Sequence, residues 1–356
     1  MCSKLEHHLQ NYKWKIALPA PALFGQFDGL DDIDSALQGL LDIGFDDVFE
    51  VAKAAELITE YTRLYLKTPG IKKPVISSAC PVVVRLITLR YPYLRDNIMP
   101  LLPPMELAAA MAKEKALKEH PELTAKDVGV FFISPCAAKV SYIRNGFGTY
   151  KSCVDAVVSL KDIYFLLLGV MKRGIAPSIS SEVGMIGMSW ASSGGESSAI
   201  LNDSYLAADG IENVNDVLNA IENGNIPQLE FVELNACIGG CVGGVMTIEN
   251  PFIARTRLQS LRRYMPVAQN RLPVDMHYIP ENVISYELPV YTPISRLSDN
   301  FSESMRMMQE IQRLQSLLPG IDCGACGSPT CRALAEDIVR GFSKDTSSCV
   351  CLNKSK

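Results

Sequence analysis

Residues 128–139 read VGVFFISPCAAK, a β-branched and aromatic run over 128–133 that meets Ser134 and Pro135 and then Cys136. A short apolar run stopped in this way predicts a strand. Similar runs lie at 75–77, 185–188 and 231–234, and the longer segments 48–66 and 105–118 read as amphipathic helices. Short strands alternating with helices from Lys15 to about Arg262 predict an α/β domain with mainly parallel strands. Three of the four strands run into a cysteine just past their C-terminal ends: Cys80, Cys136 and Cys237. Ligands bind outside those ends in open parallel sheets, so thiols far apart in the chain are expected to converge.

The 356 residues carry 34 basic and 39 acidic side chains, a formal net charge of −5, which excludes a nucleic-acid binder working by bulk charge. A 48% hydrophobic content supports substantial cores, and the length suggests about two domains. The first residues are too polar for a signal-peptide core, and no apolar run approaches the ~18 residues of a membrane span. A cytoplasmic location is expected. Eleven cysteines then point to metal or catalysis rather than disulfides. The four histidines, His7, His8, His120 and His277, flank no cysteine pair, which favours all-thiolate ligation.

The chain divides into an N-terminal segment, 1–15, a large domain, 16–265, a proline-rich irregular connector, 266–298, a helix, 299–318, and a small tail domain, 319–356. The helix follows from Phe301, Met305, Met308, Ile311, Leu314 and Leu318 at spacings of three and four, and Pro319-Gly320 ends it. Its methionines read as packing surface. In the tail, Cys323-x-x-Cys326-x4-Cys331 is followed by Cys349, with Cys351 as the rival last ligand. Four thiolates can close around a [4Fe-4S] cube or a zinc ion. Gly320, Gly324, Gly327 and Pro329 suit a tight loop whose N–H groups turn inward. The run 321–341 resembles the small [4Fe-4S] domain of membrane electron-transport and corrinoid iron-sulfur proteins.

A second constellation is dispersed: Ser77-Ser78-Ala79-Cys80-Pro81, Ser134-Pro135-Cys136 with Lys139, and Glu233 to Cys237 followed by Cys241. On a helix, Cys237 and Cys241 would share one face and could bind one cluster. Gly239, Gly240, Gly243 and Gly244 would leave room for something bulky against the backbone. Lys139 would set an ammonium beside an anionic ligand.

These three segments resemble the three signature motifs of the [FeFe]-hydrogenase catalytic domain, which surround its H-cluster. The likeness runs from about Ile16 to Arg262 and is joined by Ala20-Pro21-Ala22, Val154 to Val157 and Ser193-Gly194-Gly195-Glu196. It implies two lobes of mainly parallel sheet flanked by helices around a central cleft. Cys80, Cys136, Cys237 and Cys241 would hold a [4Fe-4S] cube, and Cys241 would bridge to a diiron unit carrying CO, cyanide and an azadithiolate. Lys139 would hydrogen-bond a cyanide, and Glu233 would fix the surrounding helix and loop. Ala20, Pro21, Ala22, Pro104, Gly194, Gly195, Gly243 and Gly244 fall among the implied cofactor-binding positions. H2, protons, a ferredoxin or other redox or signalling protein and the hydrogenase maturation proteins are the implied partners.

The sequence departs from the familiar pattern where it concerns proton traffic. Ala79 stands where the family has a proton-passing cysteine, and a methyl group can neither donate nor accept a proton, so acid–base assistance of ~10²- to 10⁴-fold is lost. Ser134 and Asn235 replace methionines, and Ala22 replaces a serine that contacts cyanide. Glu56 and Glu60 lie on the helix where the outer proton path usually starts, either in that role or as solvated helix residues. These departures resemble the sensory class of the family, whose catalytic domain is joined to a tail cluster of this type; slow H2 chemistry suits a sensor. Family members usually carry ferredoxin-like clusters upstream, where this chain has only Cys2, so either the sequence is truncated or the tail cluster is the only electron port. The competing expectation is a non-catalytic [4Fe-4S] protein for electron transfer or cluster assembly on the same fold. Cys153 reads as a core residue.

Overall fold

The computed structural model describes residues 11–145, 151–174, 176–285, 297–298, 300–322, 326–328, 330–349 and 351–352. Cys2, Cys323, Gly324 and Pro329, and residues 286–296 of the connector, lie outside them.

Among the described residues seven strands form two sheets: β1 (Trp14–Pro19), β2 (Asp47–Val48), β3 (Val75–Ile76), β4 (Val128–Ser134), β5 (Ala156–Ser159), β6 (Tyr205–Asp209) and β7 (Phe231–Asn235). Every pairing is parallel, in the orders β2-β1-β4-β5 and β3-β7-β6. β1 runs beside β4 from Trp14↔Val128 to Pro19↔Ile133. All of β4 is buried, because helices cover both faces of a parallel sheet.

The helices are α1 (Asp34–Asp42), α2 (Val51–Leu66), α3 (Pro81–Arg90), α4 (Pro104–Glu119), α5 (Ala137–Asn145), α6 (Leu160–Met171), α7 (Met185–Ser189), α8 (Gly195–Ala199), α9 (Ile211–Glu222), α10 (Pro251–Arg262), α11 (Phe301–Leu317) and α12 (Cys331–Val339). Successive strand residues serve opposite cores. Phe131 and Ile133 pack with Leu37 and Leu167 of α1 and α6, whereas Val130 and Phe132 pack with Ile58 and Ala108 of α2 and α4. The second sheet places Ile76, Val232 and Leu234 against Val83, Ile87 and Leu218 of α3 and α9. These are the two lobes expected, and the tail has a separate small core of Ile311, Leu314, Leu318, Leu334 and Ala335.

One strand is corrected. Residues 185–188 form helix α7, not a strand. Four apolar residues carry no period by which to choose, and packing decides. Gly187 presses on α2 so closely that a Cβ there would lie 2.4 Å from the Ala52 carbonyl oxygen. The connector crosses the large domain by backbone contacts: Met185 and Ile186 donate to the carbonyls of Pro266 and Val267, and Leu101 bridges Ile284. Glu56 is buried and accepts from the backbone N–H groups of Gly184, Gln269 and Asn270 and from the Asn270 side chain. It is thus not a solvated helix residue: it pins the connector to α2. Glu60 pairs with Arg63 at 2.5 Å.

Candidate functional site

The three strand ends carry the cysteines as the parallel topology requires. Cys80 is the residue before α3, whose first position is Pro81, a residue suited to a helix start because its missing N–H would be unpaired there. Cys136 lies between β4 and α5 and is held by Ser134: the Cys136 N–H donates to Ser134 Oγ at 3.0 Å, and that hydroxyl donates back to the Cys136 carbonyl at 3.2 Å. Cys237 follows β7. Cys241 starts a single 3-10 turn, Cys241–Gly243.

The cysteine pair of the third segment therefore does not share an α-helical face. It is set by a loop in which Gly239 and Gly240 take φ of +82° and +87°, a region open to glycine at little cost. At Gly243 and Gly244 the missing Cβ makes room for backbone. A Cβ on Gly243 would lie 2.0 Å from the Ile238 carbonyl oxygen, and one on Gly244 2.2 Å from that of Pro135. The space is taken by backbone, so that the third segment can lie on the second.

Cys80, Cys136, Cys237 and Cys241 line one cavity of about 80 Å³ together with Lys139, Glu196 and Glu233. The rest of the lining includes Ala20, Pro21, Ala22, Ala79, Pro104 and Gly244. Ser134, Gly194, Gly195 and Gly243 stand behind it: Ser134 shapes the Cys136 loop, the Gly194 N–H donates to Glu233 at 3.0 Å, and Gly195 packs against the Ser189 carbonyl. Among the described residues no three His, Cys, Asp or Glu side chains meet at a single-ion position; the thiols ring the cavity instead.

Burial raises the thiols of Cys136, Cys237 and Cys241, the last to about 11, and neighbouring sulfurs add to the rise. Lys139 opposes it at Cys136 and Cys241, and its ammonium lies 5.6 Å from the Phe132 ring centroid. Four soft donors around one space, three of them thiols that burial holds in the neutral form, fit a multinuclear iron-sulfur group, whose positive iron would supply the charge that thiolates need.

Two buried carboxyls meet beside the thiols. Glu233 accepts from the backbone N–H groups of Gly194 and Ser197, from Ser197 Oγ and from Asn235 Nδ2, at 2.8–3.0 Å. Glu196 Oε2 accepts from Ser77 Oγ at 2.6 Å, while its Oε1 is buried without a partner. Burial raises both, and the charge of Glu233 raises Glu196 further. Four donors favour the anion at Glu233, so of the two carboxyls Glu196 is the one whose protonated form is favoured. Ser77 Oγ also accepts from the Ala79 N–H at 3.2 Å, which ties the first segment to that carboxyl. Sequence reasoning placed Glu196 only as a supporting match; its signal was a lone acid directly after Ser193-Gly194-Gly195.

In the tail, Cys331 and Cys349 are buried in the small core, and Cys326 and Cys351 pack against it. The Cys331 N–H donates to Asp322 at 2.6 Å, and Ser328 Oγ donates to Asp337 at 2.8 Å. Cys153 packs against the core of the large domain, and its N–H donates to buried Glu106.

Comparison with known proteins defines the class. The family model described as iron only hydrogenase large subunit, C-terminal domain, matches residues 13–182 and 195–245, and one described as "Putative Fe-S cluster" matches 318–350. The chain belongs to the iron-only hydrogenase large-subunit family. Solved [FeFe]-hydrogenases share its fold. HydA1 from Chlamydomonas reinhardtii, in a single-substitution variant, is 17% identical with a TM-score of 0.55 over 71% of this chain and 84% of that one. HydA(deltaEFG), from work on stepwise H-cluster assembly, is 18% identical with a TM-score of 0.54 over 71% and 84%. No curated protein gave a match. No helix among the described residues is long and apolar enough to cross a membrane.

Proposed function

We propose that this chain is an [FeFe]-hydrogenase-like protein that interconverts H2 with protons and electrons slowly, in the service of H2 or redox sensing. The observation that carries the reading is the common cavity of Cys80, Cys136, Cys237, Cys241 and Lys139 in a chain of this family. The four thiols would hold a [4Fe-4S] cube, with Cys241 shared with a diiron unit. When bound, that unit supplies the metal centre for heterolytic H2 chemistry. Lys139 brings a positive charge to the wall that would face cyanide. Alanines and prolines keep water from the rest of the lining. Glu196 holds a proton beside the cavity, and Glu233 fixes α8 through Ser197, so that the two carboxyls divide the work of storing a proton and holding the frame. Ala79 offers no proton, which supports low flux; a sensor needs occupancy and redox change rather than turnover.

Cys326, Cys331 and Cys349, with Cys323, would hold the second [4Fe-4S] cluster as the electron port toward a ferredoxin or signalling protein. Hydrogenase maturation proteins would supply the diiron unit. A cytoplasmic setting suits a thiol-rich chain. The test is the infrared spectrum of protein matured with a synthetic diiron precursor. CO and cyanide bands are expected; their absence removes the hydrogenase reading and leaves a non-catalytic iron-sulfur protein.

A further inference from the structure

Resting on that reading of two cubes, we propose that the hydrogen bond between Ser141 and Gly327 is the contact through which the tail cluster exchanges electrons with the cavity cluster, and that Ser141 is a positioning residue for this exchange. Ser141 Oγ donates to the Gly327 carbonyl at 2.5 Å across 186 positions of sequence. Both partners sit next to ligand candidates. Ser141 lies on α5, which starts directly after Cys136 and carries Lys139, so only five residues, roughly 7–8 Å of helical rise, separate it from Cys136. Gly327 follows Cys326.

The contact is close enough to dictate the residue. Gly327 takes φ of +94°, and a Cβ there would lie 2.5 Å from Ser141 Oγ. The backbone angle favours glycine, and a larger side chain there would displace the Ser141 hydroxyl. The loop is also held from behind, by Ser328 on Asp337 and by the Cys331 N–H on Asp322. It thus meets α5 as a braced edge. Tunnelling falls steeply with the gap between donor and acceptor, and a hydrogen bond replaces a jump through space by a continuous path from the Cys326 backbone to the helix of Cys136. In each passage one electron leaves the reduced tail cluster, which is oxidised, and enters the oxidised cavity cluster, which is reduced. A one-electron donor of the ferredoxin class refills the tail. No bond breaks, and H2 oxidation runs the path in reverse.

The experiment uses the full chain with both cubes reconstituted from iron and sulfide, without the diiron unit, and reduced with dithionite. Spin–spin splitting between the two reduced cubes is expected in the electron paramagnetic resonance spectrum. Ser141→Thr, which keeps the hydroxyl, should retain it. Gly327→Val, which forces the loop away, should lose it, and Ser141→Ala should diminish it and slow intercluster exchange at unchanged iron content. Should Gly327→Val fail to hold the tail cluster, Ser141→Ala decides, because it lies on the other domain and touches no ligand. The proposal is overturned if the native chain shows no splitting, or if Ser141→Ala leaves splitting and exchange intact. Missing CO and cyanide bands would sink the diiron reading and leave this test standing.

Discussion

The cavity has two kinds of lining. Ala20, Pro21, Ala22, Ala55, Ala79 and Pro104 present hydrocarbon, whereas Lys139, Glu196, Glu233 and Asn235 present charge and hydrogen-bonding groups. The hydrocarbon part keeps water out and leaves space. The polar part comes at a cost: a buried polar atom without a partner, like Glu196 Oε1, costs about 1–3 kcal/mol. Structures retain such groups chiefly where they act. Proton traffic is thus expected on the side of the third segment, not at Ala79.

Four measurements break or sharpen that contrast. Cys241→Ala has the largest expected effect: complete loss of CO and cyanide bands after maturation, with the tail cluster's paramagnetic signal intact; loss of both signals would mean misfolding. Next, Glu196→Gln keeps an acceptor for Ser77 but removes the proton, and H2 evolution should fall by about 10²-fold with the infrared bands retained. An unchanged rate would strip the polar side of its assigned role. Ala79→Cys restores a titratable group to the hydrocarbon side and should raise H2 evolution by roughly tenfold if proton delivery limits. Unchanged activity in fully matured protein would show that another step limits.

The smallest effect on turnover is expected from a buried carboxyl outside the cavity. Burial raises Glu50 from 4.5 to about 7, although it accepts from Ser181 Oγ and the Glu182 N–H. A raised folded pKa favours the fold fully below the unfolded value, and the advantage disappears as pH rises through about 7. Deprotonation should cost about 3 kcal/mol by pH 8. Glu50→Gln should flatten that decline in denaturant unfolding between pH 5 and 8 while H2 conversion stays unchanged; an unaltered slope would show that Glu50 is not the group responsible.

Much of the fold was legible because β4 and β7 are largely apolar runs that lead into cysteines, and α2 and α11 carry clear helical periods. Residues 185–188 were misread because their conformation is set by contact with Ala52, far away in sequence. The glycines around Cys241 were legible as special, but not why: their partners are backbone carbonyls of other segments. Ser134 was singled out by comparison with a motif, and its actual partner is its own loop.

From the chain alone came the parallel α/β plan and the cysteines at the strand ends, because period and composition are local properties of a polymer; the expectation that Ala79 lacks a proton donor came from the family resemblance. Which carboxyl keeps its proton, which glycine admits backbone, and where the tail loop touches α5 were decided only by tertiary structure. Desolvation, orphaned lone pairs and sub-ångström clearances come from neighbours that the linear order does not specify.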